Sequence, residues 1–73
     1  MTQEESLVLN FLQVRPEEVF SRGEIARRAA KRKLFEENPH WVDVPLASLV
    51  ARNLVKVDQN GDYQLNKPDV LDL

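Results

Sequence analysis

The sequence predicts one small α+β domain, mainly helical, with three helices, a C-terminal two-stranded β-hairpin and a short strand between helices 1 and 2. The chain has 73 residues, which leaves no room for a second hydrophobic core. Apolar residues recur at helical spacing in three segments. An Asn-Gly pair near the C-terminus lies between two strand-like runs, as in a hairpin. We expect the domain to cover residues 1–67 and a loosely ordered tail to cover residues 68–73.

The first helix is predicted from its start and stop signals. Thr2 and Glu5 have the spacing of a capping box, in which each side chain accepts a hydrogen bond from the other residue's free backbone N–H. Pro16 ends the helix, because the residue before a proline avoids helical backbone angles. Four residues at helical spacing form its buried face: Leu7, Val8, Phe11 and Leu12.

The second helix is predicted to follow a short extended piece at Val19-Phe20, which can form a single β-bridge. It begins at a second pair with capping-box spacing, Ser21 and Glu24. Four small or apolar residues form its buried face: Ile25, Ala26, Ala29 and Ala30. A continuous helix would place Lys33 in the middle of this face. The helix therefore ends or bends near Arg32, or the Lys33 side chain extends along its stem to water.

The connector over residues 34–43 gives the weakest signals and is expected to hold one further helical turn. The third helix follows, with Asp43 or Val44 as its cap and Pro45 in its first turn, where a missing N–H costs nothing. Asn53 is a left-handed stop at its C-terminus. The buried stripe of this helix comprises Leu46, Leu49 and Val50. Its exposed side comprises Val44, Ala47, Ser48, Ala51 and Arg52.

The register of the hairpin follows from the side chains that must share a face. A two-residue turn at the Asn-Gly pair would oppose apolar to polar side chains across the strands. A three-residue loop over residues 59–61 instead pairs Val57 with Tyr63, and Val55 with Leu65. Directly opposed residues lie on the same face, so this register is the one we predict. The glycine of the loop then occupies its left-handed position.

Three segments carry a resemblance to a known family. Residues 21–29 (SRGEIARRA), 46–55 (LASLVARNLV) and 61–65 (GDYQL) resemble the second helix, the third helix and the returning strand of a winged-helix domain of the helix-turn-helix superfamily. The resemblance covers nearly everything from Gln3 to Asn66. It implies binding of double-stranded DNA, with the third helix in the major groove and the hairpin, the wing, against the backbone. The chain departs from the family in its longer connection between the second and third helices.

Positive charge is concentrated in one segment of a slightly acidic chain. Residues 22–33 carry six basic side chains and one acid, whereas the whole chain has a net charge of −2. Such clustering is typical of a phosphate-binding surface, although a solvated helix face paired with local carboxylates is the alternative. The expected phosphate contacts are Arg22, Arg27, Arg28, Lys31 and Arg32. The expected contacts from the third helix and the wing are Ser48, Arg52, Lys56 and Asn60.

Two functions of different classes remain open from the sequence. The first is a small DNA-binding protein, acting as a transcriptional regulator. The second is a protein–protein interaction module that does not bind nucleic acid, which suits the acidic balance and the small apolar residues on the third helix. Self-association into a two-fold dimer is compatible with either.

Composition excludes several other classes. The chain has no cysteine, which removes thiolate catalysis and every cysteine-based metal site, and it has one histidine, His40. We therefore expect no enzymatic activity, no cofactor and no metal. No apolar run is long enough to span a membrane, and the N-terminus lacks the basic start and apolar stretch of a signal peptide. A cytoplasmic location is the corresponding expectation.

Overall fold

The computed structural model describes residues 1–66, in which four helices pack with a small antiparallel sheet. In chain order the elements are α1 (Gln3–Val14), β1 (Phe20–Ser21), α2 (Arg22–Arg28), α3 (Arg32–Glu37), α4 (Asp43–Ala51), β2 (Val55–Val57) and β3 (Asp62–Leu65). The mainly helical α+β class is confirmed, but the expected three helices are four. The end of the predicted domain at residue 67 and the tail at 68–73 lie outside the described residues.

Helix α1 begins and ends as the local signals predict. The backbone N–H of Thr2 donates to Glu5 Oε1 at 2.8 Å, and the N–H of Glu5 donates to Thr2 Oγ1 at 3.1 Å, which completes the capping box. Arg15 ends the helix with non-helical angles ahead of the proline. Val8 and Leu12 are fully buried, so the predicted face of α1 is the one that meets the core.

The predicted second helix ends earlier than expected, and the further helical turn expected in the connector also begins earlier, as α3 (Arg32–Glu37). Helix α2 ends at Arg28 rather than near Arg32, and Lys31 adopts an extended conformation (φ −66°, ψ 149°) before α3 begins. The break turns the chain so that two apolar residues of α3, Leu34 and Phe35, pack against the core. It also leaves Lys33 exposed, whereas a continuous helix would have buried it. The second capping box forms only in part, since Ser21 Oγ accepts from the Glu24 N–H at 3.1 Å.

Helix α4 corresponds to the predicted third helix, with a different cap. Val42, fully buried, is the N-cap residue in place of Asp43 or Val44, and its side chain makes no capping hydrogen bond. At the other end Asn53 is left-handed (φ 64°), as predicted. Its N–H donates to the Val50 carbonyl and the next N–H, of Leu54, donates to the Leu49 carbonyl, both at 3.0 Å. These two bonds are those of a Schellman motif, which satisfies the last carbonyls of the helix.

The sheet has the strand order β1-β3-β2. The predicted hairpin register is confirmed, with Val55 opposite Leu65 and Val57 opposite Tyr63. The loop glycine is left-handed (φ 83°). Strand β1 is Phe20–Ser21, one residue later than expected, and it pairs with β3 to give a three-stranded sheet. The strand that comes last within residues 1–66 therefore lies at the centre.

The core lies between the helices and one face of the sheet. Its buried apolar residues come from α1, β1, α2, α4, β2 and the connector: Val8, Leu12, Phe20, Ile25, Ala26, Trp41, Val42, Leu46, Leu49 and Val55. Trp41 is 5% exposed, and its indole Nε1–H donates to the backbone carbonyl of Ala26 at 2.9 Å. Because Ala26 lies in the last turn of α2, this carbonyl has no partner within its own helix. The Trp41 bond thereby joins the connector to the end of α2.

Candidate nucleic-acid interface

The six basic residues of segment 22–33 are divided between two helices and the break that separates them. Arg22 is the first residue of α2, and two further arginines, Arg27 and Arg28, lie in its last turn. Lys31 precedes α3, which begins at Arg32. The predicted second helix, expected to run to about Arg32, therefore does not carry all of these residues, although all six basic side chains are exposed. What each of them contacts decides what it can offer a ligand.

Arg22 is paired across the fold. Its Nη1 donates to Asp43 Oδ1 at 2.8 Å, which joins the start of α2 to the start of α4. The same Nη1 lies 3.3 Å from His40 Nδ1, and that imidazole nitrogen lies 3.8 Å from the second carboxylate oxygen of Asp43. The Arg22 and Asp43 side chains are about half exposed, at 45% and 49%. A predicted phosphate contact is thus held by a carboxylate of the chain itself.

Arg28 packs on aromatic rings at the α1–β1 junction. Its guanidinium lies 5.5 Å from the centre of the Phe11 ring and 5.7 Å from that of Phe20, distances typical of cation–π contacts. The two rings pack against each other with centroids 4.8 Å apart and an interplanar angle of 58°. Arg28 also lies 3.5 Å from Glu24 on its own helix. This arginine already has a structural role.

Arg32 forms an ion pair within α3. Its Nε donates to Glu36 Oε2 at 2.7 Å, an i,i+4 contact. The Arg32 side chain is 88% exposed, so water and salt compete fully with the pair. A phosphate can exchange with this carboxylate at little cost.

Three basic side chains around the α2–α3 break form no ion pair with any carboxylate in residues 1–66: Arg27, Lys31 and Lys33. All three are exposed. We refer to these residues as the open cationic set. Two of them are among the predicted phosphate contacts. Lys33 is not among the predicted phosphate contacts. A continuous helix would place Lys33 in the middle of an apolar face, and this conflict is the feature of the sequence that indicates an exposed Lys33.

The outer side of α4 offers little for reading bases. Ser48 is half-buried, and the interaction of its hydroxyl with the Glu5 carboxylate of α1 lowers the pKa of Glu5. This is the largest of the interactions that lower the pKa of Glu5; the hydrogen bond with Thr2 adds to it, and burial opposes them. The charge of Arg52 lowers the Glu5 pKa further. Arg52, the C-cap residue of α4, is exposed, and arginine is a side-chain type that reads base edges.

The remainder of the outer side of α4 is apolar. Val44 is 79% exposed, and Ala47 and Ala51 are exposed on the same side. Val44 borders a shallow groove of about 330 Å³ between α1, α3 and the start of α4, whose apolar lining includes Leu34 and Trp41. Small apolar side chains of this kind suit contact with another protein surface as well as with thymine methyl groups.

The wing places acids beside its polar side chains. Asp58 Oδ1 accepts hydrogen bonds from the backbone N–H groups of Asn60 (2.9 Å) and Asp62 (3.0 Å), which fixes the loop. Lys56 is exposed on β2 and lines a second groove of about 290 Å³ together with both aspartates. Lys56 and Asn60 are therefore accessible, but the tip between them is acidic and repels phosphate.

Other kinds of site are not evident in the part of the chain that the structure describes. Within residues 1–66 there is no cluster of three histidine or acidic side chains suited to holding a metal ion. No helix in that range has the length and apolar character needed to cross a membrane. Comparison with protein-family models, with curated proteins and with solved structures finds no significant match to this chain. Its function is therefore inferred from the geometry and charge described above.

Proposed function

We propose that this protein is a winged-helix module that binds double-stranded DNA, mainly through the phosphate backbone. The support from the fold is its element order. The chain forms α1, β1, the two short helices α2 and α3, and then α4, and the β2–β3 hairpin follows α4 directly. In the sheet, β3 lies between β1 and β2. This order is compatible with the winged-helix resemblance of the sequence, in which α4 takes the place of the third helix.

The observation that carries the proposal is the open cationic set. Arg27, Lys31 and Lys33 are exposed and lack carboxylate partners within residues 1–66, in a chain whose net charge is −2. An acidic protein that keeps unpaired cations together in one short stretch has a surface that attracts a polyanion locally. Phosphate contacts supply affinity and orientation but carry no sequence information. Arg52 is then the main candidate for contact with a base, and the role as a cytoplasmic transcriptional regulator is part of the same proposal.

The test compares two variants that change the net charge equally. The first, Arg27→Gln/Lys31→Gln/Lys33→Gln, removes the open cationic set. The second adds three acids on exposed positions of α1 and is the matched control: Gln3→Glu/Asn10→Asp/Gln13→Glu. Binding of a labelled duplex is followed by fluorescence anisotropy across a range of salt concentrations.

The location of the lost charge decides the outcome. Each phosphate contact contributes about 0.9 to the slope of log K against log salt, so the first variant should lose about 2.7 of that slope. Its affinity at about 50 mM salt should fall by more than about 100-fold. The control should keep the slope of the wild type and lose far less affinity. Equal losses in the two variants, or no binding by the wild type at low salt, would exclude the proposal.

A protein-docking role for α4 is the second candidate, and the exposure of Val44 favours it. On this alternative the apolar outer side of α4 contacts a protein, while the Arg22–Asp43 pair keeps the neighbouring surface close to neutral. Replacement of Ala51, which is exposed, by tryptophan should then abolish capture of a co-purifying partner and leave the fold intact by circular dichroism. Self-association fits either role, and sedimentation measures it directly.

A further inference from the structure

The contact between Arg22 and Asp43 differs from the other ion pairs of the basic segment. Glu24 and Glu36 pair with arginines four residues away on their own helices. Asp43 instead lies 21 residues from Arg22 and on a different helix. The carboxylate that neutralises Arg22 is therefore carried by α4, the helix that the proposed function places against DNA.

The chemistry of the pair makes it an internal competitor for phosphate. A guanidinium presents its N–H donors in a planar fork that fits a carboxylate and a phosphate equally well. Asp43 Oδ1 occupies Nη1 of Arg22 at 2.8 Å, so a phosphate that approaches meets both an occupied donor and a repelling negative charge. Both side chains are about half exposed, so the pair can open without unfolding the domain.

His40 offers the Arg22 side chain a second contact besides the carboxylate. Its Nδ1 lies 3.3 Å from Arg22 Nη1 and, in the tautomer with the proton on Nε2, accepts a hydrogen bond from it. Removal of the Asp43 charge therefore leaves the guanidinium held at one nitrogen, with its remaining donors available.

We propose that Asp43 is an autoinhibitory residue, which limits the affinity of this surface for DNA phosphate by holding Arg22 in an intramolecular pair. The inference rests on the proposed function and concerns the regulation of the same site. Binding of DNA opens the Arg22–Asp43 pair, and a phosphate takes the place of the carboxylate. A change that removes the Asp43 charge makes Arg22 an additional phosphate contact.

The experiment is a double-mutant cycle with a charge-matched control. Duplex binding is measured by anisotropy for the wild type, Asp43→Asn, Arg22→Gln and the double variant. Glu18→Gln removes one negative charge from an exposed position in the α1–β1 connection and controls for net charge. We expect Asp43→Asn to steepen the salt slope by about 0.9 and to raise affinity about tenfold at about 50 mM salt. Glu18→Gln should leave the salt slope unchanged. In the Arg22→Gln background, Asp43→Asn should raise the affinity for duplex no more than Glu18→Gln does.

Two results of the binding assay would overturn the proposal. One is an equal gain for Asp43→Asn and Glu18→Gln, which is a general charge effect. The other is a gain for Asp43→Asn that persists without Arg22. A readout independent of DNA separates this proposal from the proposed function: the side-chain Nε–H signal of Arg22 in a ¹⁵N NMR spectrum, titrated with inorganic phosphate. If no variant binds duplex but phosphate shifts this signal only in Asp43→Asn, the proposed function fails and the competition by Asp43 stands. If phosphate shifts it in neither protein, Asp43 is not a competitor.

Discussion

The hydrogen bond from Trp41 to α2 gives the most specific prediction about stability. The indole Nε1–H is buried and donates at 2.9 Å to the Ala26 carbonyl, which lacks a helical partner. Replacement of Trp41 by β-(3-benzothienyl)alanine keeps the shape of the ring and substitutes sulfur for the N–H. A buried carbonyl left without a donor costs about 1–3 kcal/mol, so we expect the free energy of unfolding to fall by about 2 kcal/mol.

The assay is urea and thermal unfolding followed by far-ultraviolet circular dichroism, because Trp41 is the only tryptophan and its fluorescence is lost with the substitution. For a domain of this size about 2 kcal/mol corresponds to a fall in Tm of roughly 8–16 °C. Trp41→Phe removes ring volume as well as the donor, so it should lose about 1 kcal/mol more through the cavity left behind. If the benzothienyl protein unfolds at the same urea concentration as the wild type, the bond does not hold the connector to α2.

Two further predictions concern Glu5 and the wing. The lowered pKa of Glu5 means that its contribution to stability is complete above its ordinary value of 4.5 and is lost as pH falls through the folded-state pKa. The urea midpoint should therefore decline below about pH 4.5, and Glu5→Gln should flatten this decline; an unchanged pH profile in Glu5→Gln would contradict the assignment. Gly61 has a φ of 83°, and a methyl group at this position would have no neighbouring atom within 4 Å, so Gly61→Ala should cost about 1–2 kcal/mol through backbone strain alone. Urea unfolding measures this loss of stability, and Gly23→Ala serves as a comparison at a glycine in helical conformation. An unchanged urea midpoint for Gly61→Ala would refute the strain argument.

The features that the sequence predicts correctly are those set by neighbouring residues. The Thr2–Glu5 capping box, the left-handed Asn53 and the hairpin register each depend on residues that lie within one element or on two strands joined by a short loop, and the structure contains all of them. The α2–α3 break is not predicted at its true position because alanines at 29 and 30 continue the apolar pattern of α2. The chain leaves the helix there so that α3 can pack its own apolar residues on the core, and this tertiary requirement outweighs local periodicity.

The candidate site is predictable in its composition but not in its pairing. Clustering of basic residues is visible in the sequence. That Arg22 meets Asp43, 21 residues away, depends on how α2 and α4 are placed and on a connector whose structure the sequence leaves open. Ser48 illustrates the same limit: helical spacing puts it on the outer side of α4, but its side chain is half-buried and lowers the pKa of Glu5 on α1.

The strand order has a consequence for how the chain is synthesised. Since β3 separates β1 from β2, a nascent polypeptide that has been translated only as far as Gly61 contains two strands with nothing to pair with. This sheet cannot assemble progressively from the N-terminus, and contacts such as Phe20 with Tyr63 must wait until the ribosome has released β3. Premature termination ahead of that strand should thus yield a helical fragment that lacks the sheet altogether, rather than a slightly shortened native protein.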